Sequence, residues 1–393
     1  MTEPTRSALE RCVGRPDAFL GRFWGRHPIH HRTPDGFGDL LTFRDVDHMV
    51  AAMGLRVPAF RLVKDGETIP TSTYTKSGRI GSTPVTGIAD PARIFQLFKD
   101  GATIVFQGMH RFWSPLAAFC RDLELELGHP TQVNGYITPP GSQGFALHED
   151  AHDVFVLQAF GRKHWEVHEP AKSAEGDTGT GPTLAVELQP GDTLYIPMGA
   201  PHSARTQETV SGHLTVGILT YQWSDLVREV LKDIETDESF KERLPAGFHR
   251  NPAPFTSAVT AKLEELARRV EKVDARDAAR TMVRKFLTSR PSRLTGSLEG
   301  LLALDRLTDH SVLRRRPQSV CHVEVDGGRL FAYLGDRELR MPATIEGAMR
   351  LVEERHEFRV QDFSPWLDAE SRLVLARRLV REGVLEAAPP VDS

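Results

Sequence analysis

Two short segments of the chain carry residues whose types and spacing suit a metal centre. GFALHEDAHDVFVLQ contains His148 and Asp150, and PGDTLYIPMGAPH ends in His202. On extended backbone, residues i and i+2 project to the same face, so the His148 imidazole and the Asp150 carboxylate can reach one ion. Two histidines and one carboxylate form a facial triad, which suits Fe(II) and leaves positions open for a co-substrate and O₂. We therefore predict an iron site built from these three residues, with His152, also two residues from Asp150, as a rival ligand.

The second segment has the spacing of the cupin motif, in which glycine, proline, glycine and histidine follow one another at fixed intervals. These residues are Gly191, Pro197, Gly199 and His202. The first segment departs from the generic cupin pattern, which has two histidines one residue apart and a following glutamate. A His-x-Asp pair supplies fewer ligands, so more coordination positions stay open on the metal.

Lys163 is the next residue with a chemical interpretation, because it follows the strand-like run DVFVLQAFG. 2-Oxoglutarate that chelates iron through its C1 carboxylate and keto oxygen has a free C5 carboxylate, which needs a cation. A lysine on a neighbouring strand can donate a charge-assisted hydrogen bond to that carboxylate. On spacing alone, a surface lysine in a Gly-Arg-Lys turn explains the residue equally well.

The elements around these residues are short, β-rich runs punctuated by Gly and Pro, over about residues 56–222, and short helices precede them. Many short strands at regular spacing predict a sandwich or barrel-like module. The segment 169–183 has no periodicity and predicts a surface loop. The clearest strand-like runs are TIVFQGM (103–109), QVNGYITPPG (132–141), DVFVLQAFG (153–161), KHWEVH (163–168), DTLYIP (192–197) and HLTVGILTYQW (213–223).

Beyond Trp223 the pattern becomes helical, with apolar residues at helical spacing. CHVEVDGGRLFAYLG then predicts a hairpin with its turn at Asp326-Gly327, and two helical runs follow it, an arrangement similar to a winged helix. The predicted domains are a catalytic domain (1–223), a helical domain (224–290) and a winged-helix-like domain (291–393).

Composition excludes several classes of protein. The chain has 393 residues with 40% hydrophobic and 26% charged residues, which is ordinary for a globular protein of two or three domains. Three scattered cysteines are too few for a disulfide framework or a cysteine zinc site. The N-terminal MTEPTRSALERC has no apolar core of a secretory signal, and no apolar run is long enough to span a membrane. We therefore expect a cytoplasmic protein that does not insert into membranes.

Nucleic acid is not an expected partner, although the C-terminal region is similar to a winged helix. The formal net charge of the chain is −4, and residues 291–393 hold 15 arginines and no lysine against 17 acidic residues. A winged helix that binds DNA is expected to present a basic face. A DNA-binding regulator therefore remains only a third hypothesis, and direct DNA binding is not expected.

The motifs together resemble the JmjC-type ribosomal oxygenases of the cupin superfamily, which are Fe(II)- and 2-oxoglutarate-dependent protein hydroxylases. The resemblance is carried by NGYITPPGSQGFALHEDAHDVFVLQAFGRKHWEVHEP, PGDTLYIPMGAPHSA and SGHLTVGI. It implies an α+β fold: a cupin/JmjC double-stranded β-helix core with N-terminal helices, then a helical dimerisation domain and a winged-helix-like C-terminal domain. It also implies a homodimer.

The resemblance implies a role for each site residue. His148, Asp150 and His202 match the iron ligands, and Lys163 matches the residue that binds the C5 carboxylate of 2-oxoglutarate. Three further residues match polar positions that line the co-substrate and substrate pocket: Asn134, Tyr136 and Thr215.

The function that follows is an Fe(II)- and 2-oxoglutarate-dependent dioxygenase that uses O₂ to hydroxylate a polypeptide side chain, by resemblance an Arg or His of a ribosomal protein. Two departures from the family pattern weaken the inference of its substrate for this chain. Glu149 stands where the family usually has an aromatic residue, and the loop after His168 is long. A peptide natural product or small molecule is an alternative substrate. A non-catalytic metal-binding cupin module is the alternative from another class.

Overall fold

The computed structural model of the protein describes residues 6–142, 147–169, 183–206, 208–250 and 252–387. The chain folds into two compact units, Met1–Thr220 and Tyr221–Ser393. Most of the predicted surface loop 169–183 lies outside the described residues. The separation of a helical domain from a winged-helix-like domain stays a prediction.

The first unit combines short helices with many strands. Its helices are α1 (Ala8–Val13), α2 (Pro16–Arg22), α3 (Phe43–Ala52), α4 (Pro91–Lys99) and α5 (Ser114–Leu127). Its strands are β1 (Ile29–Arg32), β2 (Phe60–Lys64), β3 (Glu67–Thr68), β4 (Thr75–Ile80), β5 (Thr83–Ala89), β6 (Thr103–Phe106), β7 (Thr131–Thr138), β8 (Asp153–Phe160), β9 (Lys163–Val167), β10 (Leu184–Leu188), β11 (Asp192–Ile196), β12 (His202–Thr206) and β13 (Ser211–Ile218).

Two antiparallel sheets enclose the core that positions the site. The larger has the strand order β1-β11-β8-β13-β7-β6-β2-β3, and the smaller has the order β10-β9-β12. Apolar side chains from both sheets form one buried cluster, with Val156 and Leu194 from the larger sheet and Trp165 and Val167 from the smaller. Since successive side chains of a strand face opposite sides, the other face of the larger sheet needs its own cover.

The N-terminal helices provide that cover. Phe19 of α2 is buried and packs edge-on against Tyr195 of β11, with ring centroids 4.8 Å apart. Helix α3 begins with a capping box, because the Thr42 hydroxyl accepts from the Asp45 amide and the Asp45 carboxylate accepts from the Thr42 amide. Such caps typically stabilise a helix by about 1 kcal/mol. The helices therefore hold the larger sheet from outside, and its inner face is left for the site.

The second unit begins with helices and continues with mixed elements. The helices are α6 (Trp223–Ile234), α7 (Pro252–Val270), α8 (Ala275–Leu287), α9 (Ser297–Leu302), α10 (Glu346–Glu354) and α11 (Ala369–Arg381). The strands are β14 (Val312–Arg315), β15 (His322–Asp326), β16 (Arg329–Tyr333), β17 (Glu338–Pro342), β18 (Glu357–Arg359) and β19 (Leu385–Ala387).

The predicted C-terminal hairpin forms, but its turn lies one residue later than predicted. Asp326 pairs with Arg329, so the two loop residues are Gly327 and Gly328. Both glycines have positive φ, 55° and 74°, which suits a two-residue hairpin turn whose twist matches that of the strands. Strand β17 adds a third strand to the hairpin. Among the described residues, no helix is long and apolar enough to cross a membrane.

Candidate metal and co-substrate site

The structure brings the three predicted ligands together. One potential ligand atom from each of His148, Asp150 and His202 lies within 4.8 Å of the other two. His202 Nε2 is 3.6 Å from an Asp150 carboxylate oxygen, and the two imidazole rings have centroids 4.4 Å apart. Within the described part of the chain, this is the one group of three or more such residues with this geometry.

Backbone pairing fixes the two histidines opposite each other. The His148 amide donates to the His202 carbonyl at 3.1 Å, and the His202 amide donates to the His148 carbonyl at 2.8 Å. The same segment is tied to the turn before β12, because the Gly199 amide donates to the Asp150 carbonyl at 3.0 Å. Gly199 has a φ of +75°, a conformation that side chains with a Cβ rarely adopt. The two motifs therefore meet through main-chain hydrogen bonds.

A hydrogen bond at His202 orients its second nitrogen for metal binding. Nδ1 lies 2.9 Å from the carbonyl oxygen of Ala200 and must donate to it, because a carbonyl only accepts. The Nε2 lone pair is then free to coordinate, which is the usual arrangement of a metal-binding histidine. Burial lowers the pKa of His202, and neighbouring His148 lowers it further, so the neutral form that binds a metal is favoured.

A buried network supports the turn that carries His202. The Tyr195 hydroxyl donates to the Asp153 carboxylate at 2.6 Å, and the Met198 amide donates to the same oxygen at 3.2 Å. The Gly25 amide in turn donates to the Tyr195 hydroxyl at 2.8 Å. The N-terminal segment, the larger sheet and the turn are therefore linked by one chain of hydrogen bonds.

Lys163 lies inside the protein and lines the same cavity as the triad. Its side chain is 2% exposed, and its Nζ donates to the Thr138 hydroxyl at 3.4 Å. Burial lowers its pKa to about 7. Because the side chain is buried, the interpretation of Lys163 as a surface lysine is wrong. Among the described residues, no carboxylate lies close enough to its ammonium to contribute to its pKa. A buried cation without a counter-charge is costly unless an anion binds beside it.

The cavity brings together most of the residues predicted to form the site. Tyr136 and Thr215 face it from neighbouring strands, and burial raises the pKa of the Tyr136 hydroxyl. Asn134 pairs with Thr215 across the sheet, but it is not part of the lining; its side-chain oxygen accepts from the Gly108 amide at 3.0 Å. The lining residues are Tyr136, His148, Asp150, Val154, Val156, Lys163, Trp165, His202, Ala204, His213 and Thr215.

The rival ligand His152 does not join the triad. Its ring lies against Gly217, where an added Cβ would come within 2.9 Å of the imidazole. His152 is half-buried, and it is not part of the ligand group found among the described residues.

Sequence reasoning missed Thr138 and Trp165. Thr138 contacts Lys163 at the end of β7, and Trp165 lines the cavity two residues after Lys163 on β9. Strand alternation could have indicated both, since Asn134, Tyr136 and Thr138 share one face, as do Lys163 and Trp165.

Residues 110–226 match the JmjC domain family. Ribosomal oxygenase 1 of Rattus norvegicus is 28% identical over 96% of this chain and 71% of its own length. The bifunctional lysine-specific demethylase and histidyl-hydroxylase NO66 of Dictyostelium discoideum is 33% identical over 48% of this chain and 40% of its own length. This chain spans less than half the length of several other curated relatives that it matches.

A solved structure shares the fold over nearly the whole chain. The Escherichia coli ribosomal oxygenase YcfD, in complex with cobalt and 2-oxoglutarate, superposes with a TM-score of 0.57 over 96% of this chain and 99% of its own, at 18% identity. The predicted α+β fold with a cupin-like β-sandwich core is therefore confirmed. The chain carries a JmjC domain within the fold of a ribosomal oxygenase, which confirms the resemblance inferred from its motifs.

Proposed function

We propose that the protein is an Fe(II)- and 2-oxoglutarate-dependent oxygenase that hydroxylates a side chain of a polypeptide. One observation carries the proposal: the His148, Asp150 and His202 triad opens into the same cavity as a buried lysine without an acidic partner among the described residues. The enzyme class is supported by the match to the JmjC domain family and by relatives named oxygenase and histidyl-hydroxylase.

The donor set fits iron. Two imidazole nitrogens and one carboxylate oxygen on one side of an ion form the facial triad of non-haem Fe(II) oxygenases. His148, Asp150 and His202 offer these atoms within 4.8 Å of one another, and the Ala200 carbonyl holds one imidazole in the required tautomer. We infer that these residues hold the iron and that the remaining positions are left to small ligands.

The other end of the cavity fits 2-oxoglutarate. On β9, Lys163 lies four residues from Val167, the residue that pairs with His202. Four residues of extended strand span about 13 Å, a distance that the lysine side chain, the co-substrate and the metal can fill together. The Lys163 ammonium would hold the C5 carboxylate by a charge-assisted hydrogen bond.

Bound iron would supply the oxidative chemistry, in which 2-oxoglutarate and O₂ yield succinate, CO₂ and a hydroxylated substrate carbon. The chain's own residues bind and orient the iron and the co-substrate. Lys163 fixes the distal end of the co-substrate, while Val154, Val156 and Trp165 form an apolar part of the wall between the polar groups. An apolar wall beside the ammonium limits its contact with water and strengthens its interaction with a carboxylate.

The substrate is proposed to be an Arg or His side chain of a ribosomal protein. Support comes from the names of the relatives, ribosomal oxygenase and histidyl-hydroxylase. A peptide natural product or small molecule remains the alternative substrate.

The test is succinate release from 2-oxoglutarate by protein loaded anaerobically with Fe(II) and then exposed to O₂. Turnover that rises with added ribosomal proteins supports the proposed substrate, and mass spectrometry then locates an added oxygen atom. Turnover that does not change when ribosomal proteins are added favours a small-molecule substrate. Iron binding without any succinate, for every substrate tried, would instead favour the non-catalytic cupin module.

A homodimer through the helical region is part of the proposal. None of the described residues of α6, α7 and α8 is buried within one chain. Apolar side chains on all three helices are exposed, including Trp223 at 83%, Leu263 at 59% and Val283 at 51%. Large exposed apolar side chains, when they form a contiguous patch, mark interaction surfaces. Light scattering that gives the mass of one chain at micromolar concentration would contradict the dimer.

We further propose a cytoplasmic location and no direct contact with DNA. Each arginine of the cluster in the winged-helix-like region already has a partner or is buried: Arg314 pairs with Glu357 at the surface, Arg315 donates to the Glu353 carbonyl, and Arg316 is buried. These contacts leave little of the cluster to meet phosphates, which supports the proposal. Salt-dependent binding of a DNA duplex would contradict it.

A further inference from the structure

His213 is a buried cavity residue that the proposed mechanism does not use. It lies on β13, is 3% exposed, and lines the cavity with Lys163 and the triad. Its Nδ1 is fully buried and has no hydrogen-bond partner among the described residues. A buried polar atom without a partner is destabilising, so it calls for an explanation.

Aromatic neighbours fix the orientation of the His213 ring. It stacks on Tyr136 with centroids 5.0 Å apart and an interplanar angle of 7°. Trp165 meets it edge-on at 5.3 Å and 88°. Strand pairing sets Tyr136 directly opposite His213, so the stack follows from the register of the sheet. An imidazole held in this way is preorganised to bind a ligand and loses little freedom when it does.

His213 and Lys163 each have a buried nitrogen that lacks an acidic partner among the described residues. Burial and the neighbouring Lys163 charge lower the pKa of His213 well below its usual value, so the imidazole is neutral and carries one N–H. The Lys163 ammonium donates to the Thr138 hydroxyl, but no described carboxylate lies beside it. One carboxylate between the two residues would accept a hydrogen bond from each and so give both nitrogens a partner.

We propose that His213 is a second anchor for 2-oxoglutarate: its Nδ1–H donates to the carboxylate that Lys163 binds. The inference rests on the proposed function, because it assigns one more contact to that co-substrate. It differs from a purely structural role for His213, in which the ring would serve only to pack against Tyr136 and Trp165.

Three substitutions separate hydrogen bonding from packing. His213→Phe keeps an aromatic ring against both neighbours but removes the nitrogens. His213→Asn places an amide near the position of Nδ1, and His213→Gln places one near Nε2. His164→Phe is the matched control, since His164 is adjacent to Lys163 on β9 but faces the opposite side of the strand.

The measurement is the dissociation constant of 2-oxoglutarate by calorimetry, on protein loaded with Mn(II) under anaerobic conditions, with the Mn(II) affinity measured beside it. We expect His213→Phe to weaken 2-oxoglutarate binding about tenfold, as for loss of one hydrogen bond to a charged group. Mn(II) affinity should not change. His213→Asn should restore most of the binding, and His164→Phe should behave as the native protein.

The outcomes distinguish the inference from the function on which it rests. Native protein that binds Mn(II) but not 2-oxoglutarate would overturn both. Native binding that is unchanged in His213→Phe would overturn the inference alone. Weakened binding that neither amide restores would show that the ring acts by packing and would also overturn it. Restoration by His213→Gln alone would overturn the assignment to Nδ1.

Discussion

The two ends of the cavity differ in how they meet solvent. At the metal end His202 is buried, but His148 is exposed and Asp150 is half-buried. At the other end both Lys163 and His213 are buried, with 2% and 3% of their surface exposed. The metal end is therefore open to O₂ and to a substrate, and the lysine end is closed by the two sheets. A charge at the closed end interacts more strongly with a ligand, because water does not screen it.

This difference separates two tasks. In the proposed function, the open end admits a new substrate side chain in each turnover, and main-chain hydrogen bonds between His148 and His202 hold its ligands. The closed end would hold one small dianion, and its groups are held by packing and strand register. Loss of a residue at the open end should therefore remove catalysis, and loss of one at the closed end should weaken co-substrate binding.

The largest effect is expected at the open end. Asp150→Ala or His148→Ala should abolish turnover, because two remaining ligands cannot complete a facial triad. Succinate release and iron content, measured on the same samples, check this. Glu149→Gln is the control: this exposed residue stands between the two ligands, and its substitution should leave iron content unchanged. An Asp150→Ala protein that turns over like the native one would remove Asp150 from the site.

At the closed end, Lys163→Met should raise the KM for 2-oxoglutarate roughly 10- to 100-fold, as for loss of a buried hydrogen bond to a charged group. Methionine keeps much of the volume, so iron affinity should stay close to native. Steady-state kinetics over a range of 2-oxoglutarate concentrations measure the change. Arg162→Met is the control, since Arg162 is exposed and pairs with Glu187. An unchanged KM in the Lys163 variant would show that the co-substrate binds elsewhere.

The contrast also explains what the sequence alone predicts. The triad is encoded locally, since His148 and Asp150 are two residues apart and a glycine turn precedes His202. The closed end depends on pairing between distant strands, such as His213 opposite Tyr136, which no local pattern specifies. Lys163 could not be distinguished from a surface lysine by spacing, because its burial depends on the larger sheet, whose Thr138 contacts it, packing over the smaller sheet that carries it.

Asn134 shows the limit of the resemblance, which implies that this residue lines the pocket. Asn134 lies on the strand face of Tyr136 but is not among the residues that line the cavity, and its side-chain oxygen accepts from the Gly108 amide. In the second unit, helical periodicity correctly predicted α6 to α8, although it does not specify what covers their apolar faces. The position of the turn at Gly327-Gly328 follows from the strand register, in which Asp326 pairs with Arg329. Composition alone does not determine that position to within one residue.

A smaller effect is expected from the network behind the open end. Tyr195→Phe should weaken iron binding about tenfold, the low end of the effect of residues that support metal ligands. The reason is that the Asp153 carboxylate and the Gly25 amide would each lose a partner, so the turn before His202 would be held less firmly. Tyr74→Phe is the control, because Tyr74 is equally buried but packs against Phe60. Equal iron affinity in both variants would mean that the turn needs no such support.

The smallest effect is a pH dependence that only the closed end should show. Burial lowers the pKa of Lys163 to about 7 in the protein without co-substrate, and 2-oxoglutarate requires the charged form. Affinity should therefore be nearly constant well below pH 7 and should fall as pH rises through this value, by about fivefold between pH 7 and pH 8. Calorimetry with Mn(II)-loaded protein measures it. Lys163→Arg should bind with a flatter profile, because the guanidinium stays charged throughout this range. A native profile that is flat from pH 6 to 9 would mean that Lys163 is charged even without a ligand, and that the closed end is better solvated than its burial indicates.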